Sequence, residues 1–176
     1  NIPYALCVAN YIEIKNQYNI LKAFFNTDIK KDFQLIFIGS QKTSYYDILI
    51  HESKIMQLKN KNKKVKFLVN IPRSQVIEYV KNASVFLLGS KQEIFPVSIL
   101  EAMASGIPFI STDVGCVRFL PGGFIIHHPE EMKYCLSLLM GNNELRKSLG
   151  ACGRLYAVSN FRIDSKIDQL EELING

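Results

Sequence analysis

The sequence predicts an α/β fold: a doubly wound parallel sheet of about six strands with a C-terminal helical tail. The first observation is that short runs rich in Val, Ile and Phe alternate with longer segments of helical period. The second is that these runs are apolar on nearly every residue, as in strands covered on both faces. The third is size, because 176 residues with 48% apolar and 21% charged side chains fit one globular domain.

Each predicted strand is a short apolar run bounded by polar or turn residues. Parallel strands need long crossover connections, and most of these runs are separated by a segment long enough for a helix. The order of elements therefore predicts right-handed crossovers on both faces of one sheet. The runs are Tyr4 to Ala9, Phe33 to Gly39, Val65 to Val69, Ser84 to Leu88, Pro108 to Ser111 and Gly123 to Ile126.

The predicted helices are segments whose apolar residues recur every three or four positions. Pro72 and Pro96 stand at predicted first turns, where a missing N–H is tolerated. Gly106 is expected to end one helix, and Gly141 to separate two others. The segments are Lys15 to Asn26, Thr43 to Asn60, Pro72 to Asn82, Pro96 to Ser105, Pro129 to Met140, Asn142 to Ala157 and Ile163 to Ile174.

Composition excludes several classes of protein. The net charge of +5 permits an anionic partner but names none, and the basic run from Lys59 to Lys64 is interpreted as a solvated turn. The four cysteines show no C-x-x-C pair, which argues against a zinc ribbon or a disulfide framework and favours a reducing cytoplasm. No apolar run approaches the roughly 20 residues of a membrane helix. Because the chain begins with Asn, we expect it to be part of a longer protein.

Ligands of doubly wound sheets bind beyond the carboxyl ends of the strands. That rule selects five loops, and one of them carries Glu93, eight residues before Glu101. Both carboxylates can face one crevice, where the start of the helix near Pro96 offers unpaired N–H groups suited to a diphosphate. The spacing alone leaves open that both are ordinary surface residues. The loops are residues 10 to 15, 39 to 43, 70 to 73, 89 to 96 and 112 to 118.

The stretch from Glu93 to Pro108, E-I-F-P-V-S-I-L-E-A-M-A-S-G-I-P, resembles the E-x7-E pattern of the retaining glycosyltransferases of family 4. The resemblance extends over the whole chain. It implies that residues 1–176 are the Rossmann-like, C-terminal donor-binding domain, one half of a GT-B architecture. It also implies that the N-terminal acceptor domain is absent from this chain, so we expect the isolated fragment to be inactive.

The resemblance further implies roles for single residues. Glu93 is expected to bind the hydroxyls of the donor sugar, Lys15 the diphosphate and Glu101 the ribose of the nucleotide. Glu93 and Lys15 are therefore the expected catalytic residues. The other expected donor contacts are Phe95, Pro96, Val97, Ser98, Asn70, Ile71, Gly39 and Asn10.

Three departures from the family pattern leave the donor's identity open. Asn10 stands where many members have Arg, Cys116 stands where Gly is common, and Arg118 stands where Glu is frequent. The first departure removes a cationic phosphate contact or requires another residue to supply it. A UDP-sugar and a GDP-sugar both remain candidates.

The implied function is donor binding for retaining, metal-independent transfer of a sugar to a hydroxyl in glycan, polysaccharide or glycolipid synthesis. The resemblance implies no metal and no cofactor, because the family pattern lacks an Asp-x-Asp clamp and this chain contains no such triplet either. The expected partners are a nucleotide-sugar donor and, through the missing domain, a glycan or lipid-linked acceptor, with no nucleic acid. The expected location is the cytoplasm, with peripheral contact at the inner face of a membrane left open. A nucleotide-sugar epimerase of the same fold and a non-catalytic binding module remain alternatives.

Overall fold

The computed structural model describes residues 2–29, 32–60 and 62–161. In this part of the chain six strands form one sheet in the order β3-β2-β1-β4-β5-β6, and all neighbouring strands are parallel. The predicted doubly wound sheet is confirmed. The strands are β1 (Tyr4–Val8), β2 (Phe33–Gly39), β3 (Lys63–Val69), β4 (Val85–Leu88), β5 (Phe109–Thr112) and β6 (Gly123–Ile126).

Helices connect the strands and cover both faces of the sheet. They are α1 (Gln17–Phe25), α2 (Ser44–Lys59), α3 (Arg73–Lys81), α4 (Val97–Ala104), α5 (Glu131–Gly141) and α6 (Asn143–Asn160), with short 3-10 turns at Glu13–Lys15 and Val117–Phe119. The helix predicted from Ile163 to Ile174 lies outside the described residues.

Several predicted helix boundaries are wrong by one or two residues. Lys15 ends a 3-10 turn instead of beginning α1, because Asn16 has a left-handed φ of 53° that interrupts the helical path. Pro72 and Pro96 occupy the position before the first helical residue of α3 and α4. The break between α5 and α6 falls at Asn142, whose side chain accepts a hydrogen bond from Leu145 N and caps α6.

Two apolar layers hold the sheet. Helices α1, α2 and α5 cover one face, where Phe24, Phe37 and Leu136 are buried. Helices α3, α4 and α6 cover the other, where Phe86 and Met103 are buried. Each such side chain contributes about 1.5–3 kcal/mol when fully buried, so the sheet is a rigid support for the loops at its edges.

Lys63, at the start of β3, is an exception to the predicted solvated turn. Its Nζ donates hydrogen bonds to the carbonyls of Phe24 at 3.0 Å, Phe25 at 2.8 Å and Thr27 at 2.6 Å. The last carbonyls of a helix lack partners within the helix, and here a lysine from a strand satisfies those that end α1. Burial lowers the pKa of this amine. The interpretation as a solvated turn is therefore wrong for Lys63.

The carboxyl ends of the strands form one edge where the five predicted loops meet. Strand β1 lies between β2 and β4, so the connections leave this point in opposite directions. Ligands of doubly wound folds bind at such a switch point. Gly39 allows close packing here, because a Cβ at this position would lie 2.5 Å from the buried Tyr11 ring.

Candidate functional site

Lys15 and Glu93 meet at the switch point of the sheet. Lys15 follows β1 and Glu93 follows β4, and Lys15 Nζ lies 2.7 Å from Glu93 Oε1. The backbone joins the same two loops, since Lys91 N donates to Ile14 O at 2.8 Å. The structure thus brings together the two residues that the sequence resemblance implied to be catalytic. A cation and a carboxylate held in this way can bind a diphosphate on one side and hydroxyls on the other.

Ser90 is a third member of this cluster, and sequence reasoning missed it. Its hydroxyl donates to Glu93 Oε1 at 2.7 Å, and its side chain is buried. The carbonyl of Ser90 accepts a hydrogen bond from Thr112 Oγ1 at 2.6 Å, which ties the loop to the end of β5. Its position in the sequence could have indicated it, because Ser90 lies three residues before Glu93 in a loop predicted to border the crevice.

A glycine fixes the backbone of the loop that carries Glu93. Gly115 has a φ of +54°, and a Cβ there would lie 2.4 Å from Ile94 O and 2.7 Å from Glu93 O. The next residue, Cys116, donates its N–H to Ile94 O at 3.3 Å. Only a residue without a side chain allows the two loops to approach this closely.

Glu101 forms a second ion pair, with Arg73. Glu101 lies one turn into α4, as predicted, and Arg73 is the first residue of α3. The guanidinium of Arg73 donates to Glu101 Oε1. The two glutamates of the motif therefore contact different cations. Sequence reasoning missed Arg73, although it follows Pro72 in one of the selected loops.

The N-terminus of α4 lies between the two glutamates. Pro96 precedes the first helical residue, and no side chain caps this end of the helix. The first N–H groups of a helix carry partial positive charge and have no partner within the helix. The exposed side chains of Phe95 and Val97 flank this end, with Ser98 beside them half-buried. The predicted anion site is therefore open to solvent.

The remaining predicted donor contacts lie on the neighbouring loops. Asn70 has a left-handed φ of 52°, and its N–H donates to Gly39 O at 3.0 Å, which places Ile71 at the same edge. Asn10 Oδ1 accepts a hydrogen bond from Ser40 Oγ at 2.7 Å. Asn10 thus links two loops at the position where many family members have a cationic residue.

Asp113 neutralises part of the charge that Arg118 brings. Arg118 Nε and Nη2 donate to the two carboxylate oxygens of Asp113 at 2.9 and 3.0 Å. His127 Nδ1 lies 3.5 Å from Asp113 Oδ2. Arg118 therefore points its charge at a carboxylate in the loop after β5.

Neither a metal-binding cluster nor a membrane-spanning helix is found among the described residues. Within residues 2–29, 32–60 and 62–161, no three or more His, Cys, Asp or Glu side chains are placed to hold a metal ion. No helix in this part of the chain combines the length and apolar character needed to cross a bilayer.

A cavity of about 570 Å³ lies beside α3, lined by Tyr4, Gln34 and Glu78 among others. It opens near the amino ends of β1 and β2, away from the crevice.

Fold and site together define a doubly wound α/β domain with an open crevice at the carboxyl edge of its sheet, where ligands of such folds bind. The family of group 1 glycosyl transferases matches residues 1–154, and the chain belongs to that family. This match favours a transferase over the epimerase and the binding module that sequence reasoning left open. The family resemblance drawn from the E-x7-E stretch is confirmed.

The chain is also similar in sequence or in fold to individual known proteins. N-acetyl-alpha-D-glucosaminyl L-malate synthase of Bacillus anthracis is 24% identical over 94% of this chain and 43% of its own length. Anabaena HepE, solved with UDP and glucose, superposes with a TM-score of 0.86 at 17% identity, covering 99% of this chain and 48% of HepE. The C-terminal domain of the Francisella tularensis group 1 protein LpcC gives 0.81 at 19% identity, covering 92% and 89%. The fold is therefore that of the C-terminal half of a GT-B glycosyltransferase.

The chain is short compared with these proteins. It spans less than half the length of the curated relatives it matches. HepE has also been solved with UDP-glucose. This chain therefore corresponds to only part of each of these relatives.

Proposed function

We propose that this chain binds the nucleotide-diphospho-sugar donor of a retaining, metal-independent glycosyltransferase. The observation that carries the proposal is the contact of 2.7 Å between Lys15 Nζ and Glu93 Oε1 at the switch point, beside the uncapped N-terminus of α4. A cation and helix N–H groups suit a diphosphate, and the carboxylates suit sugar hydroxyls.

Each end of the donor has its own residues in this proposal. The diphosphate binds Lys15 and the first N–H groups of α4, with Phe95, Pro96, Val97 and Ser98 around it. Negative charge grows on the diphosphate as the sugar departs, and preorganised positive charge stabilises it. Glu93 binds the sugar hydroxyls.

The nucleoside end of the donor lies on the other side of α4. Glu101 accepts hydrogen bonds from the two ribose hydroxyls in competition with Arg73. Asn70 and Ile71 line the base, and Gly39 and Asn10 complete the floor of the crevice.

The whole protein, in this proposal, transfers the sugar to a hydroxyl of a glycan or a lipid-linked acceptor. The chain acts as its C-terminal donor domain, and an N-terminal domain binds the acceptor, so the isolated chain is inactive. The reaction takes place in the cytoplasm, and at the inner face of a membrane where the acceptor is lipid-linked. HepE, the neighbour solved with UDP and glucose, supports the choice of a nucleotide-sugar donor.

Calorimetric titration of the chain with UDP, GDP and ADP, with and without magnesium, tests the proposal. We expect one nucleotide to bind selectively and magnesium to leave its affinity unchanged. Loss of a charged hydrogen-bonding partner should weaken binding about tenfold or more in Glu101→Ala and Lys15→Ala. Lys22→Ala and Glu144→Ala, away from the crevice, are the matched controls. Failure of all three nucleotides to bind would overturn the proposal.

A further inference from the structure

The cluster around Glu93 divides its hydrogen bonds unequally between the two carboxylate oxygens. Lys15 Nζ and Ser90 Oγ both lie 2.7 Å from Oε1. Among the described residues no side-chain donor contacts Oε2. One oxygen is thus held by the protein while the other is available to a ligand.

The two donors to Oε1 differ in how firmly they can orient it. Lys15 has a long, flexible side chain, and its charge attracts the carboxylate from a range of positions. Ser90 has a single side-chain rotor, is 1% exposed, and has its carbonyl tied to Thr112 Oγ1 at 2.6 Å. A short buried hydroxyl on a fixed backbone determines direction more than it supplies binding energy.

We propose that Ser90 is a positioning residue that fixes the Glu93 carboxylate so that Oε2 faces the sugar of the donor. The inference rests on the proposed function, in which Glu93 binds the sugar hydroxyls. It adds that the recognition of the sugar depends on a serine hydroxyl that does not contact the donor. Binding of the nucleotide part, which uses Lys15, Glu101 and the start of α4, does not depend on Ser90.

This division of roles predicts a selective effect of one substitution. Ser90→Ala removes the hydroxyl and leaves Lys15, Glu93 and the Thr112 hydrogen bond in place. We expect the affinity for a nucleoside diphosphate glucose to fall about fivefold to tenfold, the effect of losing one hydrogen bond of average strength while Glu93 keeps its contact with Lys15. The affinity for the nucleoside diphosphate alone should stay within about twofold of wild type.

Calorimetry with two ligands measures this selectivity on the 176-residue chain. The first probe is the nucleoside diphosphate that binds best among UDP, GDP and ADP. The second is the corresponding nucleoside diphosphate glucose, called the glucose ester below. Ser111→Ala is the matched control, because Ser111 is also buried at this edge but donates to Thr112 O at 2.8 Å and not to Glu93. Ser90→Thr retains a hydroxyl and should recover most of the affinity for the glucose ester.

The possible outcomes separate the role of Ser90 from the proposed binding of the donor. A loss confined to the glucose ester in Ser90→Ala, absent in Ser111→Ala, supports the inference. Equal losses for both probes, or no loss for either, overturn it while leaving donor binding intact. If wild type binds neither probe, the proposed function itself fails and the inference fails with it. Thr112→Val, which loosens the Ser90 carbonyl, should give a smaller loss of the same kind and checks the inference should Ser90→Ala unfold.

Discussion

The two glutamates of the motif lie in different surroundings although only eight residues separate them in the sequence. At the Lys15–Glu93 pair the side chains are 24% and 14% exposed, and the buried Ser90 adds a hydrogen bond. At the Arg73–Glu101 pair they are 59% and 30% exposed. Because exposed ion pairs are screened and mobile, the first pair is preorganised and the second can rearrange. The proposed sugar end is thus rigid, and the proposed ribose end is adaptable.

A substitution that disturbs the backbone beside Glu93 should lower the free energy of unfolding more than any other change considered. Gly115→Ala places a Cβ against Ile94 O and Glu93 O and requires an L residue at a φ of +54°. We expect the free energy of unfolding to fall by about 3 kcal/mol or more, measured by urea denaturation. Gly141→Ala is the control, since no atom lies within 4 Å of its Cβ position, and it should be neutral or slightly stabilising. Equal stabilities would mean that this loop is not rigid.

Removing the cation of the rigid end should have the next largest effect. Lys15→Met leaves the half-buried Glu93 carboxylate with Ser90 as its remaining partner. An undersatisfied buried group costs about 1–2 kcal/mol, so urea denaturation should show a loss of stability of that size. Lys22→Met, on the exposed side of α1, should show none. An unchanged stability for Lys15→Met would mean that the Lys15–Glu93 pair contributes as little to folding as an exposed ion pair, which would contradict the comparison with Arg73–Glu101.

The adaptable end should tolerate the corresponding change. Arg73→Met removes the partner of Glu101, but both side chains reach solvent. Water replaces the lost contact, and the free energy of unfolding should stay within about 0.5 kcal/mol of wild type. A loss as large as that of Lys15→Met, in the same denaturation assay, would contradict the comparison.

A third carboxylate, that of Glu131, is held by a backbone N–H group instead of a cation. Glu131 Oε2 accepts the N–H of His127 at 2.9 Å, and this hydrogen bond lowers the pKa of Glu131. A carboxyl whose pKa is lowered on folding stabilises the fold above its unfolded value of about 4.3 and loses that effect as pH falls through the folded value. The stability difference between wild type and Glu131→Gln should therefore be constant near pH 7 and shrink below about pH 4.3.

Denaturation of both variants at a series of pH values measures this effect. Glu144→Gln is the control, because the contact of Glu144 is a side-chain pair with Lys147 at 3.5 Å. A difference for Glu131→Gln that grew on acidification would have the wrong sign.

The sequence predicted the strands well because each strand is a local apolar run. The bounds of β2 and β6 match the prediction, and the other strands differ by one or two residues. The sequence placed Lys15 and Glu93 in loops at the same carboxyl edge, but it did not predict the direct contact between them.

What the sequence could not predict involves contacts between distant segments. Arg73 reaches Glu101 from another helix, and Lys63 reaches the carbonyls at the end of α1 from an edge strand. No local periodicity marks such contacts, because they depend on how the elements cross. Ser90 lay in a selected loop, but only the geometry shows that its hydroxyl points at Glu93. The roles of these residues toward a donor stay predictions.

The most direct test of the account is to map where a nucleotide binds. Amide chemical shifts of the chain would be followed by NMR during titration with UDP, GDP and ADP in turn. The account predicts that at least one of them shifts amides at the carboxyl edge, around Lys15, Asn70 and residues 93–101. Shifts confined to the cavity near Tyr4, Gln34 and Glu78, or no shifts with any of the three, would contradict it.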